Sequence, residues 1–328
     1  MTVTNDRRSG RFSTPLFVLA LGAAGIAAGV PGAILARDAG TARLFDNLHW
    51  TAGMLAAAVL GWLALRSAQP ESVRSLRWIA TGLTAYAAGQ LIWGAQMLAG
   101  YHRFPSPSDL FYLWLGPCVA AGLLLEAFRL ADRLQRKPLL FDAAILTIAV
   151  STLVLALYLP RRGELPWLPL TVMAAYPISL LAAASIGLIA VPTLRLKLAW
   201  RYWLFLASLT VTGVCWMAWN ALALEGARLD GLWFNGLFSI SALGMGFATL
   251  GWQIERSTDP RWERWCEGML RLLPLMAVVT ASMAVILSGV HGGASEEVAA
   301  VVDFGALVVI ILSMIRQGML LRDYDELK

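Results

Sequence analysis

Leu139-Leu-Phe-Asp-Ala-Ala-Ile-Leu-Thr-Ile-Ala-Val-Ser-Thr-Leu-Val-Leu-Ala-Leu-Tyr-Leu159 carries a single charged residue, Asp142, in 21 positions. At about 1.5 Å per residue, a helix of this length spans roughly 30 Å, the thickness of a bilayer's hydrocarbon core. The stretch decides the fold because the chain repeats it. Nine other apolar runs of similar length lie at about 14–36, 46–65, 78–99, 110–128, 168–191, 202–223, 231–253, 272–290 and 298–315. They predict an all-α polytopic membrane bundle of about ten transmembrane helices. The 328 residues are 58% hydrophobic and 14% charged, against about 25% charged in a soluble protein. Such a balance excludes a soluble enzyme, a disordered chain and a disulfide scaffold. Three cysteines cannot pair completely, and Cys118 and Cys215 lie inside apolar runs, so no structural disulfide is expected. The first run follows Arg7, Arg8 and Arg11 as a signal peptide would, but it is too long for that and reads as a retained helix.

The loops orient the bundle. With the N-terminus inside, the cytoplasmic segments hold 20 of the 26 basic residues. The outer loops keep six: Arg37, Arg43, Arg103, Arg161, Arg162 and Arg228. This asymmetry follows the positive-inside rule, supports an even number of crossings, and places both ends in the cytoplasm. It also explains the pI near 9.4 without nucleic acid.

In such a chain the polar exceptions carry the information. Asp46, Asn47 and His49 begin the second run, Gln90 and Gln96 lie in the third, Asn220 late in the seventh, Asn235 early in the eighth, and Asp303 near the start of the tenth. His102 and His291 fall in or beside outer loops. All of them share the predicted outer half. Buried ionisable groups are costly in lipid and face cavities or partners. A polar pocket formed by spans two, three, seven, eight and ten is one reading, with Asp46, Asn47, His49, Trp93, Gln96, Asp109, Tyr112, Asn220 and Asp303 as candidate ligand contacts. Interhelical hydrogen bonding without a ligand is the other. His49 is expected to face inward, near Asp303 or Gln96. No catalytic set, metal site or cofactor motif stands out: H-x-x-x-H, C-x-x-C, a deep lysine and a glycine-rich phosphate loop are all missing.

Phe104-Pro-Ser-Pro-Ser-Asp109-Leu-Phe-Tyr-Leu113 reads as a helix start, with Ser106 as N-cap, Pro107 in the first turn and Asp109 as the capping-box acid. Trp93-x-Ala95-x-x-Leu98-x-Gly100 is echoed by Trp219-x-Ala221-x-x-Leu224-x-Gly226, four spans later. A parallel four-helix repeat would produce this. It counts against the five-plus-five inverted repeat of a ten-helix transporter.

After the tenth run, residues 316–328 continue without a strong helix breaker except Gly318, and Leu320, Tyr324 and Leu327 fall at the spacing of a coiled-coil seam. The chain thereby divides into a membrane domain, 1–315, and the start of a signalling helix, 316–328. Several stretches resemble the multi-helix N-terminal sensor region of bacterial GGDEF and EAL (cyclic-di-GMP) signalling proteins, with relatives on sensor histidine kinases. They are Phe45-Asp-Asn-Leu-His-Trp50, Gly89-Gln-Leu-Ile-Trp93, the segment 104–113 with Gly116-Pro117, Leu140-Phe-Asp-Ala143, Ala175-Tyr-Pro177, and the turn from Gly226 to Trp233. The resemblance covers roughly residues 45–250. It departs at Gly94, Ser179 and Cys215-Trp216, where related sequences often carry acids.

The resemblance implies a sensory input module in the bacterial inner membrane. Such a module takes a small or lipidic ligand or a membrane signal, works as a homodimer in the lipid bilayer, and relays through its last helix to a cytoplasmic enzyme outside this chain. A ten-helix secondary transporter of the drug/metabolite type is the alternative, and an anchoring or dimerisation domain a third.

Overall fold

The computed structural model describes residues 13–101, 103–197, 199–290 and 296–326. His102, His291 and Leu327 lie outside the described residues. The described residues form eleven α-helices, and among them there is no strand beyond the isolated bridge of Leu196 with Arg256. They are α1 (Ser13–Leu35), α2 (Ala39–Ala64), α3 (Val73–Leu98), α4 (Pro107–Leu113), α5 (Leu115–Leu130), α6 (Arg133–Tyr158), α7 (Trp167–Leu194), α8 (Trp200–Leu224), α9 (Asn235–Thr249), α10 (Pro260–Val290) and α11 (Glu296–Glu326). The fourth expected span is thus two helices in series, α4 and α5.

Among the described residues, seven segments are long and apolar enough to cross a membrane: Thr14–Leu35, Pro107–Leu130, Arg133–Arg161, Trp167–Leu194, Trp200–Leu224, Pro260–Gly289 and Val298–Met319. The chain is therefore a polytopic membrane helix bundle. The other three expected runs fall on α2, α3 and α9. The first two are 26 residues each, or about 39 Å. They carry Arg43, Asp46, Asn47 and His49, and Arg74, Arg77, Gln90 and Gln96, which lower their hydropathy. The run read as 231–253 shrinks to the 15 residues of α9, because Gly231 and Gly251 sit at φ +74° and +70°, left-handed conformations that end a helix.

Six helices close a ring. Following its contacts, α2 packs on α3, α3 on α5, α5 on α7, α7 on α8, α8 on α9, and α9 returns to α2. The first helix lies outside, against α2 and α9. On the opposite side α6 packs on α7 and carries α10 and α11. The ring halves repeat one another. The series α1–α2–α3–α5 recurs as α6–α7–α8–α9, and the two ring-closing contacts, α5 with α7 and α9 with α2, exchange under the same correspondence. The register is the one separating Trp93 from Trp219. Leu55-Ala-Ala-Ala58 with Gly61 stands at that spacing from Leu181-Ala-Ala-Ala184 with Gly187. Both α3 and α8 end in the same cap: Gly100 and Gly226 at φ +68° and +70°, with Tyr101 N–H donating to the Gln96 carbonyl (2.9 Å) and Ala227 N–H to the Leu222 carbonyl (3.0 Å).

Close approach is built from small residues. A Cβ on Gly53 would lie 2.7 Å from the Ser239 carbonyl oxygen of α9. Away from the Gly100 end, the ring interior is filled by Leu76, Ile79, Val119, Leu123, Phe205 and Leu206, all buried.

The outermost pair is tied in by charge. Arg316 of α11 donates through Nε and Nη2 to the two carboxylate oxygens of Asp142 on α6, at 2.7 and 3.0 Å, and both residues are buried. This bidentate geometry offsets part of the desolvation of both charges.

Candidate functional site

A cavity of about 80 Å³ opens inside the ring near the ends of α3 and α8. On α3, Tyr86, Gln90 and Trp93 line it at i, i+4 and i+7, one helix face. On α8 the lining is Trp216, Trp219 and Asn220. Trp50 and Met54 enter from α2, Asp109 and Tyr112 from α4, Tyr176 from α7, Phe238 from α9, and Phe104 from the loop before α4. The internal repeat runs through these walls: Trp50 corresponds to Tyr176, Gln90 to Trp216, Trp93 to Trp219 and Tyr112 to Phe238. The cavity therefore sits where the two halves face each other.

Its aromatic rings form one network centred on Trp216. Tyr176 stacks on that indole at 4.2 Å and 16°, while Tyr112, Trp219 and Phe238 approach it edge-on at 5.9, 5.8 and 5.2 Å. Such pairs prefer stacked-offset or edge-to-face contact because the ring face is negative and its edge positive. Three polar groups are spoken for. Tyr112 Oη donates to Gln90 Oε1 at 2.6 Å, Gln90 Nε2 donates to Asn47 Oδ1 at 3.0 Å, and Asn220 Nδ2 donates to the Met173 carbonyl at 2.9 Å. Two others are not. Tyr86 Oη and Trp216 Nε1 lie close together yet complete no hydrogen bond of ordinary geometry. The buried carboxylate of Asp109 takes the Ser106 N–H at 2.5 Å, as the capping motif requires, and also accepts from Tyr176 Oη. It caps α4 and joins it to α7 while facing the cavity.

Comparison with protein-family models, curated proteins and solved structures finds no match.

Asp46, Asn47 and His49 stand beside the cavity without lining it. The fully buried His49 meets Asp46 Oδ1 through Nε2 (3.1 Å) and Ser239 Oγ through Nδ1 (2.7 Å). Asp46 Oδ2 accepts from the Gly231 N–H at 2.7 Å and from Asn235 Nδ2 at 3.0 Å. One turn earlier, Arg43 forks onto Asp230 at 3.1 and 2.8 Å. These contacts pin α2 to the loop that leads into α9.

Two expectations require correction. His49 faces inward, but its partners are Asp46 and Ser239 rather than Asp303 or Gln96. Asp303 is exposed on α11, which packs on α10 and α6, and so it does not join the ring. Gln96 is half-buried but does not line the cavity, and its Oε1 has no partner. The cavity accordingly uses expected spans two, three, four, six, seven and eight, and tenth-span residues are absent from its described walls. Leu320 and Tyr324 fall on the backbone of α11. No group of three or more metal-ligating side chains occurs among the described residues. Sequence reasoning missed Trp50, Tyr86, Tyr176, Trp216 and Phe238, since aromatic residues in an apolar run look like filler. The usable signal was the one-face spacing of Tyr86, Gln90 and Trp93, of which the last two positions recur one repeat later as Trp216 and Trp219.

Proposed function

We propose that the chain is a sensory input module of a bacterial inner membrane, working as a homodimer. It takes a ligand in the aromatic cavity and passes the change through α11 to a cytoplasmic enzyme of the cyclic-di-GMP type. Ten crossings with both ends inside is the topology this requires. The observation that carries the reading is the buried Asp142–Arg316 pair. It makes α11 part of the bundle rather than a loose tail, and α6, which holds the aspartate, packs on the cavity-lining α7. A displacement of α7 therefore has a mechanical route to the last helix. The resemblance over residues 45–250 supports the same role.

The drug/metabolite transporter reading is favoured by one observation, the cavity's place between two repeated halves, where repeat-built transporters bind substrate. The packed ring interior beside it, and the parallel sense of the repeat, favour the sensor. The test fuses Lys328 in frame to a cyclase domain that is active only as a dimer. The wild-type fusion should yield cyclic-di-GMP in cells, and Arg316→Ala should change that output severalfold at equal membrane abundance. Identical output from both fusions, together with solute uptake by proteoliposomes of the unfused chain, would establish the transporter instead.

A further inference from the structure

We propose that the cavity binds a small organic ammonium ion, of the quaternary type carried by choline. The inference deepens the sensory reading by naming the ligand class of the same site.

Four features converge on it. The walls are predominantly aromatic, and indole and phenol faces attract a cation through their quadrupole, most strongly when water is excluded. The lining contains one carboxylate, Asp109, and no lysine or arginine among the described residues. This carboxylate is buried, and its described hydrogen bonds come from neutral donors, the Ser106 N–H and the Tyr176 hydroxyl, so it has no basic partner in the site. Asp46, by contrast, sits against His49 in its own cluster. The Trp216 indole N–H and the Tyr86 hydroxyl, which lie against each other in the wall without completing a hydrogen bond of ordinary geometry, are further donors for a polar group carried beside the ammonium. Size agrees. A volume of about 80 Å³ holds roughly six waters at 10–15 Å³ each, which suits a molecule of about seven heavy atoms.

A free solute and a phosphatidylcholine headgroup both present this chemistry. The wild-type chain is therefore placed in phosphatidylglycerol nanodiscs and titrated with choline, tetramethylammonium and 3,3-dimethylbutan-1-ol, the neutral isostere of choline, with tryptophan fluorescence and calorimetry as readouts. Both cations should bind saturably, and the neutral isostere about thirtyfold more weakly than choline, as expected of a desolvated cation–aromatic site. Asp109→Asn should weaken choline by about tenfold or more and leave the isostere unchanged. Because Asp109 also caps α4, Trp219→Leu serves as a second variant away from that cap and should weaken both cations. In discs containing phosphatidylcholine, a rightward shift of the choline isotherm marks the headgroup as the natural source, and an unshifted isotherm marks the free cation. Equal affinity for choline and its neutral isostere, or no saturable binding of either cation by wild-type protein that still shows a cooperative thermal transition, overturns the proposal. Choline binding that leaves the cyclase fusion's output unchanged would break the sensory reading and leave this one standing.

Discussion

The Asp46–His49 cluster and the aromatic cavity share helices α2 and α9, yet they handle polar atoms in opposite ways. In the cluster both carboxylate oxygens of Asp46 and both ring nitrogens of His49 are paired, with each other and with Gly231, Asn235 and Ser239 from 185 to 190 residues away, and only Asn235 Oδ1 is left without a partner. In the cavity, the Tyr86 hydroxyl and the Trp216 N–H lie together without completing a hydrogen bond of ordinary geometry, beside a carboxylate with no basic partner. A polar group whose bonds are complete holds the fold together, whereas one buried with its bonds unmade is costly unless a ligand completes them. The first region is a clasp and the second is the proposed receptacle, although they are separated by little more than one helical turn.

Three substitutions test this contrast, in descending order of expected effect. Asp46→Ala strands the Gly231 N–H, the Asn235 amide and the His49 imidazole in a dry interior, and should destabilise the bundle by about 3–5 kcal/mol. Thermal unfolding in detergent would register this as a large drop in midpoint, and an unchanged midpoint would mean the clasp is dispensable. Tyr112→Phe removes one completed bond, to Gln90, and should cost about 1 kcal/mol by the same measurement. Tyr86→Phe removes a hydroxyl that makes no complete bond in the unliganded protein, so its midpoint should stay within about 0.5 kcal/mol of wild type or rise. A fall as large as that of Tyr112→Phe would show that the Tyr86 hydroxyl already has a structural partner.

What could be read from sequence was what depends on neighbours along the chain. The run 139–159 became the body of α6, and Ser106 with Asp109 started α4, because capping acts over three residues. Asp46 and His49 meet because they stand three apart on one helix. What could not be read was pairing across the ring. Ser239 and Gly231 give no local sign of facing α2, and Arg316, counted among the cytoplasmic charges, gave no sign of Asp142, 174 residues earlier. Asp303 was misplaced for the same reason: depth in the membrane is legible from hydropathy, but which neighbour a helix chooses is not. The aromatic walls were hidden because tryptophan and tyrosine have a bland role at membrane interfaces.

The repeated register has a consequence for how a guest would lie in the cavity. Walls that were true copies would offer any occupant two equivalent poses, turned half a revolution apart, and neither half would be displaced in preference to the other. The copies differ where it matters. Gln90 faces the counterpart position of Trp216, Tyr112 that of Phe238, and Asp109 of the first half corresponds to Asn235, which is occupied with Asp46. The degeneracy is lifted: the charged end of a guest of the proposed kind would have one address, beside α4 and α7, on the side of the ring that carries α6 and, through it, α11.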